Sequence, residues 1–84
     1  MTWAYALWTA IALWWPADVQ MQAWNVAMCE STGNPAAVNG PHKGTWQVNE
    51  GLHGTVSIDV RDQAGQAYTL WAATEDWSAW ECKP

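Results

Sequence analysis

The 84-residue chain has no phenylalanine, only three Lys and Arg side chains, and no charged residue before Asp18. Scarcity of cations excludes a protein that grips a phosphate backbone, because that affinity comes from clustered Lys and Arg. Eight Asp and Glu leave a net charge of −5. No GxxxxGK[ST] or GxGxxG stretch is present, which excludes the nucleotide chemistry those loops support. Internal repeats and low-complexity tracts are missing too. Half of the residues are hydrophobic and 13% are charged, a balance that excludes intrinsic disorder. At this length the chain holds one domain with a small core.

Tryptophan stands where phenylalanine is missing, in nine copies. Such large flat rings serve packing, sugar contact, or both. The two cysteines, Cys29 and Cys82, lie far apart, with no CxxC and no zinc-like spacing to His42 or His53. A disulfide suits them better than a metal site or two buried thiols. Closing a loop of that length adds roughly 4 kcal/mol in a chain whose core supplies little. It also implies an oxidising, extracytoplasmic setting, as in a secreted protein. No metal and no cofactor are expected.

Residues 1–17 form an uncharged opening, and Trp3 to Trp15 reads WAYALWTAIALWW. That is short for a membrane span, which needs about 20 residues. It matches the apolar core of a signal peptide, yet it lacks the usual positive flank. Secretion or membrane contact through residues 3–15 is the first reading, and a helix docked on the domain is the second. The domain proper is expected over residues 18–84. Pro16 ends the opening, and Asp18 is expected to cap a helix. Val19, Ala23, Val26 or Ala27, and Glu30 share one helical stripe, closed by Gly33 and Pro35. A loop follows over 31–45, with extended segments expected at Thr45–Val48 and Thr55–Ile58. Asp59 is expected to cap a second helix with Val60, Ala64, Ala67 and Trp71 on its buried face. Trp77 to Cys82 reads as an irregular tail that Cys82 staples to the helix carrying Cys29.

Glu30 is the candidate reacting group. Its place on an apolar stripe predicts partial desolvation, and its place in a last helical turn sets it against the dipole's negative end. Both effects favour a carboxyl group still protonated near neutral pH, as a general acid requires. The plainer alternative is a solvated glutamate at a fraying helix end.

The stretch over residues 24–49 adds an ordered pattern: Glu30-Ser31, then Asn34-Pro35-Ala36-Ala37-Val38-Asn39, then Gly44-Thr45-Trp46-Gln47-Val48-Asn49. It resembles the lysozyme-like lytic transglycosylases. Cys29 directly before Glu30, with Trp80-Glu81-Cys82 near the end, is most similar to the compact resuscitation-promoting-factor branch and to small actinobacterial or phage wall lysins. The resemblance spans about residues 18–84. It implies a mainly α, α+β lysozyme-like domain with a short extended segment beside a cleft and a Cys29–Cys82 disulfide. It also implies cleavage of the β-1,4 bond between N-acetylmuramic acid and N-acetylglucosamine in peptidoglycan. Glu30 matches the catalytic acid and Gln47 the cleft glutamine. Ser31 is expected to steady the loop or touch substrate, and Asn49 and Tyr68 to contact the sugar. The Pro41-His42-Lys43 insertion departs from the family's approach to the Gly-x-x-Gln element.

Two-carboxylate hydrolysis needs a partner for Glu30. Glu50, Asp59 and Asp62 are the next acids considered, and none sits in a recognisable motif. A transglycosylase needs only one carboxyl, which serves first as acid and then as base while the muramoyl 6-hydroxyl attacks. That reading is therefore preferred over hydrolysis. Trp24 and Trp71 are expected in the core, Trp46 either in the core or stacked on sugar, and Trp77 and Trp80 packed near the disulfide. His42 and His53 are expected at the surface. Two other classes compete: a non-catalytic glycan-binding module, and a structural or membrane-active segment driven by the apolar opening. The expected partners are peptidoglycan strands, with a phage particle or a fused wall-binding partner as possible settings and nucleic acid excluded.

Overall fold

The computed structural model describes residues 2–84. Helix α1 spans Trp3–Trp14, and the Thr2 hydroxyl caps it by accepting the Tyr5 N–H. Leu7, Ala10 and Ile11, spaced three and four apart, form its buried stripe against helices α2 (Ala17–Ser31) and α4 (Val60–Thr74). The helix ends because Trp15 must turn extended before Pro16. The opening segment thus contributes to the same core as the rest of the chain. Among the described residues no helix is long and apolar enough to cross a membrane.

Helix α2 starts two residues earlier than its polar signal suggests. Pro16 takes the cap position, with no side-chain cap, and Asp18 lies inside the first turn. There its charge meets the helix's positive end instead of closing a capping bond. Ala23, Val26 and Ala27 are buried, with Val19 and Glu30 half-buried along the same stripe. The helix stops where Thr32 and Gly33 both take positive φ. A Cβ on residue 33 would lie 2.7 Å from the Trp3 ring, so glycine lets α1 close on this end.

Three two-residue strands follow: β1 (Val38–Asn39), β2 (His42–Lys43) and β3 (Val48–Asn49). They pair antiparallel in the order β1-β2-β3, with Asn39 opposite His42 and His42 opposite Asn49. The expected extended segment at Thr45–Val48 is instead mostly a turn, with only Val48 in a strand. Gly44 (φ +84°) and Gln47 (φ +51°) bend the chain there, and the Thr45 N–H and hydroxyl both donate to Gln63 Oε1 at 2.8 and 2.7 Å. Thr55–Ile58 forms no strand either. It runs irregularly between a one-turn helix α3 (Glu50–His53) and α4, held where the Val56 N–H donates to Glu50 and the Ser57 carbonyl accepts from Gln63.

Asp59 caps α4 by accepting the Arg61 N–H, and Ala64, Ala67 and Trp71 are buried as the stripe predicts. Gly65 lies beneath the Trp14 ring, where a Cβ would sit 2.7 Å from the indole, and Trp14 Nε1 donates to the Arg61 carbonyl. Among the described residues the domain is small and mainly helical, with four helices, a three-stranded antiparallel sheet and one disulfide. Tryptophan fills much of its centre. Trp15, Trp46, Trp71, Trp77 and Trp80 are buried, and Trp15 packs against both Trp46 and Trp77 with ring centroids 5.4 and 5.8 Å apart. Trp24 is only half-buried, stacked on Trp8 at 4.7 Å.

Candidate functional site

Helix α2 delivers Glu30 to its C-terminal end, half-buried at the edge of a cavity of about 330 Å³. Asn39, His42 and Gln47 line the cavity from the sheet and its turn, and Ala79, Trp80 and Glu81 line it from the C-terminal tail. The tail is fixed from several directions. The Cys29–Cys82 disulfide joins it to α2, Trp80 Nε1 donates to the Trp46 carbonyl, and Trp77 Nε1 donates to Gln22 Oε1. Lys83 Nζ donates to the carbonyls of Trp77 and Trp80. The Cys82 N–H donates to Glu30 Oε2 at 3.2 Å. One oxygen of the carboxyl group is therefore oriented by backbone, and Oε1 has no protein partner among the described residues.

Gln47 reaches the same cavity. Its Nε2 donates to the carbonyls of Ala37 and Gly44, which holds the turn and leaves its Oε1 as the unengaged atom. His42 Nδ1 contacts the Gln47 carbonyl at 3.1 Å and acts as the donor in that pair, since a carbonyl only accepts. A smaller recess of about 120 Å³ shares His42, Gln47, Ala79 and Trp80 with this cavity and extends it toward Asn49 and His53.

The other expected contacts fall elsewhere. Trp46 is 1% exposed, with its Nε1 donating to the Ala23 carbonyl, so its ring packs in the core and cannot stack on a sugar. Ser31 Oγ donates to the Thr45 carbonyl at 2.7 Å and accepts the Asn34 N–H, bracing the loop outside the cavity lining. Asn49 Oδ1 caps α3 by accepting from Gly51 and Leu52, and the residue borders only the smaller recess. Tyr68 packs against Trp14, Trp15 and Trp71, away from Glu30.

The three acids considered as partners for Glu30 are engaged outside the cavity. Glu50 pairs with Lys43 at 2.8 Å and accepts the Val56 N–H, which together hold its carboxyl below the usual range. Asp59 is held low by Arg61, first through the side-chain hydrogen bond and then through its N–H. Asp62 accepts the Ser57 hydroxyl. Glu81 is the carboxylate that shares the cavity with Glu30, and sequence reasoning passed over it. A usable signal existed. If Cys29 bonds Cys82, then Glu30 and Glu81, each next to one of those cysteines, must come close together.

Among the described residues no three His, Cys, Asp or Glu side chains gather as a metal-binding group. A larger groove of about 440 Å³ lies between α1 and the start of α4, but its only charged residues, Asp59 and Arg61, bind each other. Compared with family models, curated proteins and solved structures, the chain matches none of them.

Proposed function

We propose that the protein is a peptidoglycan-cleaving lytic transglycosylase with a lysozyme-like domain, working outside the cytoplasm, in which Glu30 is the general acid and then the base. The observation that carries this reading is Glu30 at a helix end, bordering a cavity it shares with Gln47. The ordered motif from Glu30 to Asn49 supplies the substrate class.

With Oε2 held by the Cys82 amide, the transferable proton belongs on Oε1. Glu30 passes it to the glycosidic oxygen as the C1–O bond breaks, and the departing sugar keeps the bonding electron pair. The muramoyl 6-hydroxyl then attacks C1, giving its proton to the Glu30 carboxylate and forming a 1,6-anhydro end. Gln47 Oε1 is placed to accept a sugar hydroxyl or amide N–H, and the Trp80 ring borders the same space.

A second reading, hydrolysis, is favoured by one specific observation: Glu81 gives the cavity a second carboxylate. Two-carboxylate glycosidases use such a partner to activate water or to attack the sugar.

Zymography on purified cell wall, with mass spectrometry of the released fragments, tests both readings. Glu30→Gln should lower cleavage by about 10²–10⁴-fold while the fold persists, because the amide cannot deliver a proton. Anhydromuramoyl ends support the transglycosylase. Reducing ends, with Glu81→Gln as damaging as Glu30→Gln, would establish the hydrolase. No cleavage of any wall preparation by the wild-type protein would sink both.

A further inference from the structure

The charges around the cavity are one-sided. Its lining includes the carboxylates of Glu30 and Glu81 and no Lys or Arg. Lys43 is paired with Glu50 and Arg61 with Asp59, while Lys83 Nζ donates to the Trp77 and Trp80 carbonyls, which hold it outside the lining without cancelling its charge. His42 is the one lining residue able to oppose negative charge, and its Nδ1 is already turned to the Gln47 carbonyl. With Glu30 assigned to the acid's role, Glu81 is the other carboxylate of the lining. It is exposed, and no side-chain hydrogen bond or ion pair engages it among the described residues. Its position is nonetheless fixed, because its neighbours Trp80 and Cys82 are tied to the core and to α2.

We infer that Glu81 is a specificity-determining residue that makes this cleft select neutral or amine-bearing glycan over glycan carrying free carboxylates. The inference rests on the glycan-cleaving reading above and narrows its substrate class. In intact peptidoglycan the muramoyl lactyl group is blocked as an amide by the stem peptide. Once the peptide is removed, every muramoyl sugar carries a bare carboxylate. A strand threaded past Glu81 then places like charges together, and their repulsion at this exposed carboxylate is modest and sensitive to salt. Strands whose lactyl carboxyl is blocked as an amide lack that repulsion, and a free amine exposed by de-N-acetylation is attracted to Glu81 directly.

The experiment measures binding with the full-length Glu30→Gln protein, so that turnover does not consume the ligand. Two probes are compared: peptide-free strands with free lactyl carboxylates, and the same strands after conversion of those carboxylates to amides. The amidated strands should bind at least about 3-fold more tightly at low salt. The gap should shrink as ionic strength rises and screening shortens the reach of the charge. It should close in Glu30→Gln/Glu81→Gln, which removes the standing charge. Equal binding of both probes to Glu30→Gln overturns the inference, as does a gap that persists in the double variant or no retention of either probe. Wild-type cleavage of whole wall is scored separately. Cleavage without charge discrimination rejects only the role of Glu81, whereas no cleavage rejects the parent reading.

Discussion

Along α1 and α4 the stabilising contacts are apolar and recur at helical spacing, with Leu7, Ala10 and Ile11 on one helix and Ala64, Ala67 and Trp71 on the other. Around the cavity the turns are held by individual polar side chains: Gln63 on Thr45, Ser31 on the Thr45 carbonyl, Gln47 on Ala37 and Gly44, and the Cys82 amide on Glu30. The first region distributes its stability over many interchangeable contacts. The second concentrates it in a few directional ones, so single changes should damage it more sharply.

The strongest way to break that contrast is to remove the Cys29–Cys82 bond. The Cys29→Ser/Cys82→Ser double variant should lose about 2–5 kcal/mol relative to the wild type, measured by denaturant melts. Below the melting transition the helical circular dichroism should persist while wall cleavage falls, because the tail bearing Trp80 and Glu81 is released from α2. Equal retention of both signals would mean that the cavity side does not depend on its covalent tie.

A second, smaller effect separates two glycines of the sheet region. Gly40 has φ +60° with open space around it, whereas a Cβ at Gly44 (φ +84°) would lie 2.8 Å from Gln63 Cδ. Gly40→Ala should cost about 1 kcal/mol from backbone strain alone. Gly44→Ala should cost about 2–4 kcal/mol, because it also displaces the Gln63 amide that holds Thr45 and the Ser57 carbonyl. Comparable losses in urea melts would show that Gln63 does not brace this turn.

Within the core, Trp46 Nε1 donates to Ala23, whereas Trp15 Nε1 and Trp71 Nε1 are buried with no partner among the described residues. Phenylalanine lacks the N–H in either position. Trp46→Phe should therefore lose about 1 kcal/mol more than Trp71→Phe in matched denaturant melts, by one hydrogen bond. The reverse order would reject the assigned bond.

The expected pH effect is the smallest. Glu50, Asp59 and Asp76 have carboxyls held below their ordinary values, by Lys43, by Arg61 and by the Ser78 hydrogen bonds respectively. A depressed carboxyl stabilises the fold fully above its unfolded value, and that contribution is lost as pH falls through the folded one. Thermal stability should thus hold through neutral pH and decline below about 4.5, the ordinary value for Glu50. The carboxylates that lose their partners lie at the start of α3, at the α4 cap and after α4, and α1 has no carboxylate to protonate. A melting temperature unchanged on acidification would count against these pairings.

The helical side was legible because period and caps act locally. The buried faces of α2 and α4 and the Asp59 cap followed from spacing, and the disulfide followed from having two cysteines. The cavity side was legible only in part. Glu30 and Gln47 line one cavity, but Trp46 packs inward because residues 44–47 turn at Gly44 and Gln47, not along a strand. Periodicity carries no signal for a left-handed glutamine or for an asparagine engaged in capping α3. Glu81 was missed because its neighbour in space, Glu30, is distant along the chain and comes close only through the disulfide.

The stacked indoles have an optical consequence. Trp8 lies nearly parallel to Trp24, and Trp15, Trp46, Trp77 and Trp80 form a chain of close rings that ends at the cavity wall. Electronic excitation migrates readily between chromophores at such separations, so emission reports the whole array and not one residue. A ligand that quenches or shifts Trp80 would draw on light absorbed throughout the core, giving the unlabelled protein an intrinsic fluorescent readout of occupancy.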